Sequence, residues 1–193
     1  MADYTTLANI KMRLPITSVN ASDDSVLSLL ITRASTIIDG YTDNHFAKIT
    51  GTRRFDVPLR NPRRLLLDDW LLTCTSVTNG TGLVIPPTEY TLEDYNNPPY
   101  YGIVIKRVSN YFFQPDSNLN DRKAIAIVGD WGYYSICPPD ITEVCERLVV
   151  WMYHNKSGMT SANGKVINQV EDVSDILDQY KKTVLSVGSG GWA

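Results

Sequence analysis

The sequence predicts an α+β fold: a small helical bundle core interrupted by an inserted antiparallel β-lobe. Three observations lead there. Segments Asp24 to Tyr41 and Pro139 to Asn155 repeat apolar residues at helical spacing; residues 52–135 between them break into short β-rich runs; and clustered turn residues separate those runs. The core is expected from residues 1–51 and 136–185, with two long helices plus short N-terminal and C-terminal ones. The lobe spans 52–135, and 186–193 forms a flexible tail.

Thr5 to Leu14 reads as a short opening helix, with Leu7, Ile10 and Leu14 on one side, Thr5 or Thr6 as cap, and Pro15 ending it. In the first long helix Val26, Leu29, Leu30, Ala34, Ile37, Ile38 and Tyr41 fall on one face. Ser22, Asp23 and Asp24 offer acceptors and negative charge to the unpaired N–H groups of its first turn. The lobe's strands are expected at 52–57, 64–67, 71–78, 83–85, 90–92, 103–108 and 123–128. Asp68-Asp69, Asn79-Gly80, Thr81-Gly82, Pro86-Pro87, 96–99 and 116–121 supply the turns. Pro138, Pro139 and Asp140 open the second long helix, whose stripe is Ile141, Val144, Cys145, Leu148, Trp151, Met152 and Asn155. The two stripes are expected to pack on each other. Residues 156–165 read as an exposed loop, and 173–185 as a last helix carrying Val173, Ile176, Leu177, Tyr180 and Val184 on one side.

With 193 residues and 43% hydrophobic content, the chain can bury one good core, or one core and a satellite lobe. No apolar run reaches the ~18 residues that a membrane span requires, and Met1-Ala2-Asp3-Tyr4 lacks a secretion pattern, so synthesis in a cytoplasm is expected. Cys74, Cys137 and Cys145 are odd in number and lack metal-site spacing, which points to free thiols. The net charge is −3. Basic and acidic groups number four and five in 1–51, nine and nine in 52–135, and five and seven in 136–193, so no segment is a bulk nucleic-acid binder.

Catalytic chemistry is hard to find. Gly129-Asp130-Trp131-Gly132 has neither the length nor the lysine of a phosphate loop, and His45 and His154 lack a carboxylate or nucleophile nearby in sequence. Asp68-Asp69 and Glu93-Asp94 read as solvated bends rather than metal or general-base sites. No catalytic residue, metal or cofactor is expected. Tyr95, Tyr100, Tyr101, Tyr111, Phe112 and Phe113 suit cross-strand packing, a subunit interface or a stacking platform. Arg53, Arg54, Arg60, Arg63 and Arg64 crowd the start of the lobe. They suit either a solvated edge that discourages aggregation or a contact with phosphates or an acidic protein surface. The tail ends in Trp192, and a segment so rich in Gly and Ser cannot offset its own ordering entropy, so this aromatic has a use only where it docks.

Several pieces in shared order resemble a family. They are Tyr4-Thr5-Thr6-Leu7-Ala8-Asn9-Ile10-Lys11; Asp23-Asp24 before a helix rich in Leu, Ile, Ala and Ser; Ile38-Asp39-Gly40-Tyr41-Thr42 leading to Phe46; and Pro87-Thr88-Glu89-Tyr90. The last is Ile127-Val128-Gly129-Asp130-Trp131-Gly132-Tyr133 running into Pro139-Asp140-Ile141 and a helix. Over residues 1–155 this layout resembles the tailed-phage head-to-tail connector proteins, also called adaptor or head-completion proteins.

The resemblance implies a structural virion protein at the capsid–tail neck, made in the host bacterial cytoplasm and not an enzyme. It implies a ring of identical subunits, commonly twelvefold, that docks on the portal protein after DNA packaging. Such a ring extends a channel through which DNA passes without sequence-specific binding, and it offers a platform for the stopper or tail-completion protein. No membrane is involved. On this reading Tyr180, Leu185, Val187 and Trp192 are expected to contact the portal, and Arg53, Arg54, Arg60, Arg63 and Arg64 a neighbouring subunit or tail component. Two alternatives stay open. One is a stopper or tail-completion protein, against which the long helices count. The other is a small carbohydrate-binding or hydrolase module using the aromatic lobe, which requires a coherent acid–base pair.

Overall fold

Thr6 begins the first helix because its Oγ1 accepts the amide of Asn9 at 3.3 Å, satisfying one of the donors that a first turn leaves open. The computed structural model of the protein describes residues 2–14, 23–155 and 166–182. Among the described residues it holds four α-helices and a six-stranded antiparallel sheet, a mixed α+β chain in two compact units. One unit contains residues 5–44 and the chain from 140 onward; the other contains 2–4 and 45–139.

In the first unit, α1 spans Leu7–Arg13, α2 Asp24–Thr42, α3 Pro139–His154 and α4 Val173–Asp178. The buried face of α2 comprises Leu27, Leu30, Ile31, Ala34, Ser35, Ile37, Ile38, Asp39 and Thr42, whereas Val26 and Leu29 are 38% and 70% exposed. The stripe is thus rotated from the one that periodicity suggests. Polar residues enter it because Ser35 Oγ and Thr42 Oγ1 donate to the carbonyls of Ile31 and Ile38 one turn earlier, at 3.0 and 2.8 Å. Helix α3 buries Ile141, Val144, Cys145, Leu148, Val149 and Met152, close to the expected stripe, and adds Glu146. The two helices touch where Ser35 Oγ and Cys145 Sγ lie 3.7 Å apart.

The expected caps of α2 are diverted. Asp23 makes no side-chain cap and instead accepts the Tyr153 hydroxyl at 3.1 Å, while Asp24 pairs with Lys11 of α1 at 2.6 Å. The last helix is shorter than its pattern suggests, closing at Asp178.

In the second unit, β1 (Ile49–Phe55), β2 (Arg64–Thr78), β3 (Val84–Ile85), β4 (Tyr90–Glu93), β5 (Tyr100–Ile105) and β6 (Ile125–Trp131) run in the order β1-β6-β2-β5-β4, with β3 also on β2. Strict alternation puts Ile125, Ile127, Gly129 and Trp131 of β6 inside. They join Phe55, Leu65, Leu71, Val77, Ile85, Ile103, Ile105 and Phe113 in one core, where each large side chain contributes about 1.5–3 kcal/mol.

Two expectations change here. Asp68-Asp69 is no turn: β2 runs through it as one 15-residue strand, absorbing the irregularity as a register shift against β5 between Leu66 and Leu71. Gly129-Asp130-Trp131 is also strand, since it pairs with Ile49, Thr50 and Gly51 of β1 on one side. Gly129 is required there, because a Cβ would overlap the carbonyl oxygen of Thr73 on the neighbouring strand.

Candidate functional site

Tyr180 belongs to a network that ties 173–182 to the rest of the helical unit. Its hydroxyl donates to Asp140 at 3.2 Å, and its carbonyl accepts the Asn44 side-chain amide. The backbone amide of Lys182 donates to the carbonyl of Thr42 at 2.8 Å, fixing the last described residue to the end of α2. The Tyr41 hydroxyl donates to Asp178 at 2.8 Å, and Lys181 pairs with the same carboxylate at 2.7 Å while lying over the Tyr41 ring. The Lys181 ammonium first, then the Tyr41 hydroxyl, hold the Asp178 carboxyl below the usual carboxylate range. Of the other residues expected at the portal, Leu185, Val187 and Trp192 lie outside the described residues.

The five arginines do not form one patch. Arg53 pairs with Asp69 at 2.6 Å and sits 4.9 Å from the centre of the Trp131 ring, whose indole N–H donates to Gly51 O. Arg63 donates to the carbonyls of Lys106 and Ser109 at 2.7 and 3.0 Å and covers the Phe112 ring at 4.2 Å, clamping the segment after β5. Arg64 pairs with Glu93 of β4 at 3.0 Å. Arg54 and Arg60 are exposed, and among the described residues their side chains make no hydrogen bond or ion pair.

The aromatic lobe divides as well. Phe113 is in the core, Tyr100 and Tyr111 pack against it, Phe112 lies under Arg63, and Tyr95 is 73% exposed. The acidic pairs are absorbed by structure: Asp69 is held by Arg53 and accepts the Trp70 amide, and Glu93 is held by Arg64. Among the described residues no group of three His, Cys, Asp or Glu is placed to hold a metal ion, and no helix is long and apolar enough to cross a membrane. All three cysteines are free thiols.

Two groupings escape sequence reasoning. Asp130 accepts hydrogen bonds from Thr50 at 2.5 Å and Thr73 at 2.9 Å and pairs with Lys48 at 3.4 Å, joining β1, β6 and β2 on one face. The Thr50 hydroxyl, then that of Thr73, depresses the carboxyl pKa from its ordinary value. In the helical unit Glu146 of α3 is buried, accepts the Thr5 hydroxyl at 2.8 Å and pairs with Arg13, so it anchors both ends of α1. Both depend on residues far apart in sequence, and no spacing rule reports them.

Exposed apolar side chains are numerous. Met12, Val26 and Leu29 lie on the helical unit, and Leu59, Leu66, Leu83, Val84, Val108, Leu119 and Ile136 on the sheet unit. This surface suits protein contacts better than a small-molecule site.

No protein-family model matches the chain, and no curated protein does. Solved structures do. The fold is similar to that of a chain in the virion of the native gene transfer agent (GTA) particle, with a TM-score of 0.62 and 14% identity, covering 96% of this chain and 93% of that one. A chain in the neck of the empty GTA particle, computed with C6 symmetry, gives 0.63 at 14% identity over 96% and 93%. A third, in the neck of the native GTA particle computed with C12 symmetry, gives 0.59 at 14% identity over 97% of both chains. At this identity the likeness is one of fold. It runs through nearly the whole of each chain and is consistent with the connector resemblance.

Proposed function

We propose that this protein is a structural subunit of a particle neck, a head-to-tail connector of the adaptor type that forms a ring on the portal protein. The observation that carries the proposal is the similarity of fold, over almost its full length, to chains of neck and virion structures. The connector-like order of sequence landmarks supports it independently. So does a surface rich in exposed apolar residues with no catalytic constellation among the described ones.

In this reading the helical unit is the core and the sheet unit an inserted lobe. Twelve copies surround the channel, DNA traverses it without sequence-specific contacts, and the far face receives the stopper or tail-completion protein. The segment beyond Lys182 reaches the portal, with Tyr180 at its root and Leu185, Val187 and Trp192 as contacts. The rooted network around Tyr41, Thr42 and Tyr180 supports that division of labour, because a fixed base shortens the free tether and raises the effective concentration of its end. A symmetric set of weak tails then makes a durable joint. Among the arginines, Arg54 and Arg60 are the ones available for a neighbour or tail component.

The test is co-sedimentation with DNA-filled, tailless capsids, comparing the full chain with one ending at Leu185. Stoichiometric binding lost on truncation supports the connector and its tail together. Binding that survives truncation keeps the connector and removes the tail anchor. Absence of binding to capsids of the matching particle refutes the assignment.

A further inference from the structure

The sheet ends in two different edges. β1 is outermost on one side and β4 on the other, and neither has a further strand beside it among the described residues. An open edge presents a row of backbone donors and acceptors, which native proteins block unless they use it.

The edges carry opposite charge. From Lys48 to Phe55 the chain has Lys48, Arg53 and Arg54 and no acid; from Thr88 to Tyr95 it has Glu89, Glu93 and Asp94 and no base. Arg53 and Glu93 are committed within the fold, to Asp69 and Arg64. Arg54, Glu89 and Asp94 have no ion pair among the described residues, and Lys48 has only its 3.4 Å contact with Asp130. Glu89 and its cross-strand neighbour Lys106 are joined by a backbone bond and not by an ion pair.

The patterns also match in length and alternation. Lys48, Thr50, Thr52 and Arg54 alternate along β1, with Lys48 and Thr50 both reaching Asp130 on the same face. On β4, Tyr90 is buried and Leu92 packs on the core, so Thr91 and Glu93 share the other face. Lys48 to Arg54 spans about 20 Å and Glu89 to Asp94 about 17 Å, so each edge is a short threonine-bearing stretch with charge at both ends.

We infer that β1 of one subunit pairs with β4 of the next copy of this chain, extending the sheet across the subunit joint. Pairing β1 with β1 sets base against base, and β4 with β4 acid against acid; both are disfavoured, whereas β1 with β4 sets base against acid. That surviving combination is head-to-tail, the kind of contact that closes into a ring rather than a two-fold dimer. The inference rests on the ring reading above and adds which surfaces make the joint.

The experiment is sedimentation velocity of the full chain and two charge-reversed variants, Lys48→Glu/Arg54→Glu with two acidic edges and Glu89→Lys/Asp94→Lys with two basic edges. The wild-type chain is expected to sediment as a closed ring and each variant alone as a monomer. Their equimolar mixture is expected to recover the ring by alternation, which misfolded variants could not do. Rings from either variant alone, or folded variants whose mixture stays monomeric, overturn the edge joint while leaving the ring reading intact. A wild-type chain that stays monomeric overturns the ring reading, and the joint with it. Should a reversal fail to fold, the neutral variants Arg54→Gln and Asp94→Asn decide: each is expected to weaken association about fivefold, and unchanged association overturns the joint.

Discussion

Replacing Glu146 with alanine removes the charge to which both ends of α1 are attached. Glu146 is 5% exposed, and the Thr5 hydroxyl that it accepts at 2.8 Å is buried too. A hydrogen bond to a charged group contributes about 1.5–3 kcal/mol. The second partner, Arg13, is 44% exposed, so solvent screens that pair to about 0.2–1 kcal/mol. Glu146→Ala is therefore expected to destabilise the chain by about 2–3 kcal/mol, which at this length lowers Tm by about 6–9 °C. Arg13→Ala should cost less than about 1 kcal/mol, and the double variant about as much as Glu146→Ala alone, because the pair is already broken. Urea and thermal unfolding followed by helical circular dichroism would measure all three. A Glu146→Ala variant within about 0.5 kcal/mol of wild type refutes the reasoning, since that is the range of an ordinary surface substitution.

Three further outcomes are expected. Gly129→Ala forces a Cβ against Thr73 O, so it should destabilise the sheet unit by about 2–3 kcal/mol in urea unfolding; a neutral result would mean that β6 and β2 are not so closely apposed. Asp130 has a depressed pKa, so its contribution is present above the ordinary carboxyl value of 3.8 and is lost as pH falls through the lower folded value. In an NMR titration Thr50→Val and Thr73→Val should each raise that pKa toward 3.8, and no movement in either would discard the hydrogen-bond explanation. Burial raises the Cys74 pKa above its usual 9.0, and Cys145 is wholly buried, so both thiols should react slowly with a thiol reagent at pH 8, whereas denaturant should expose three. Fast modification of Cys145 in the folded chain would contradict its burial.

Helix α3 was legible because its apolar repeat and its proline opening are local signals, and its buried face follows them closely. The face of α2 was less so: Leu29 fits the repeat and still faces outward, while Ser35 and Thr42 are buried because each satisfies its hydroxyl on its own helix. Asp68-Asp69 carries the composition of a turn yet lies within β2, since Arg53 on another strand neutralises Asp69. The arginines show the same limit for the site. Their crowding was visible in sequence, but which of them the fold consumes depends on Asp69, Glu93 and two loop carbonyls that only folding brings near.

By itself the sequence determined the α+β class, the existence of both long helices, the free state of the thiols and the connector-like order of landmarks, because periodicity, turn chemistry and composition act over a few residues at a time. Tertiary structure alone decided the strand order, the continuity of β2, the anchoring roles of Asp130 and Glu146, and the opposite charge of the two sheet edges. Each of these is a relation between segments tens of residues apart, and the free energy of such a relation exists only once the chain has closed the loop between them.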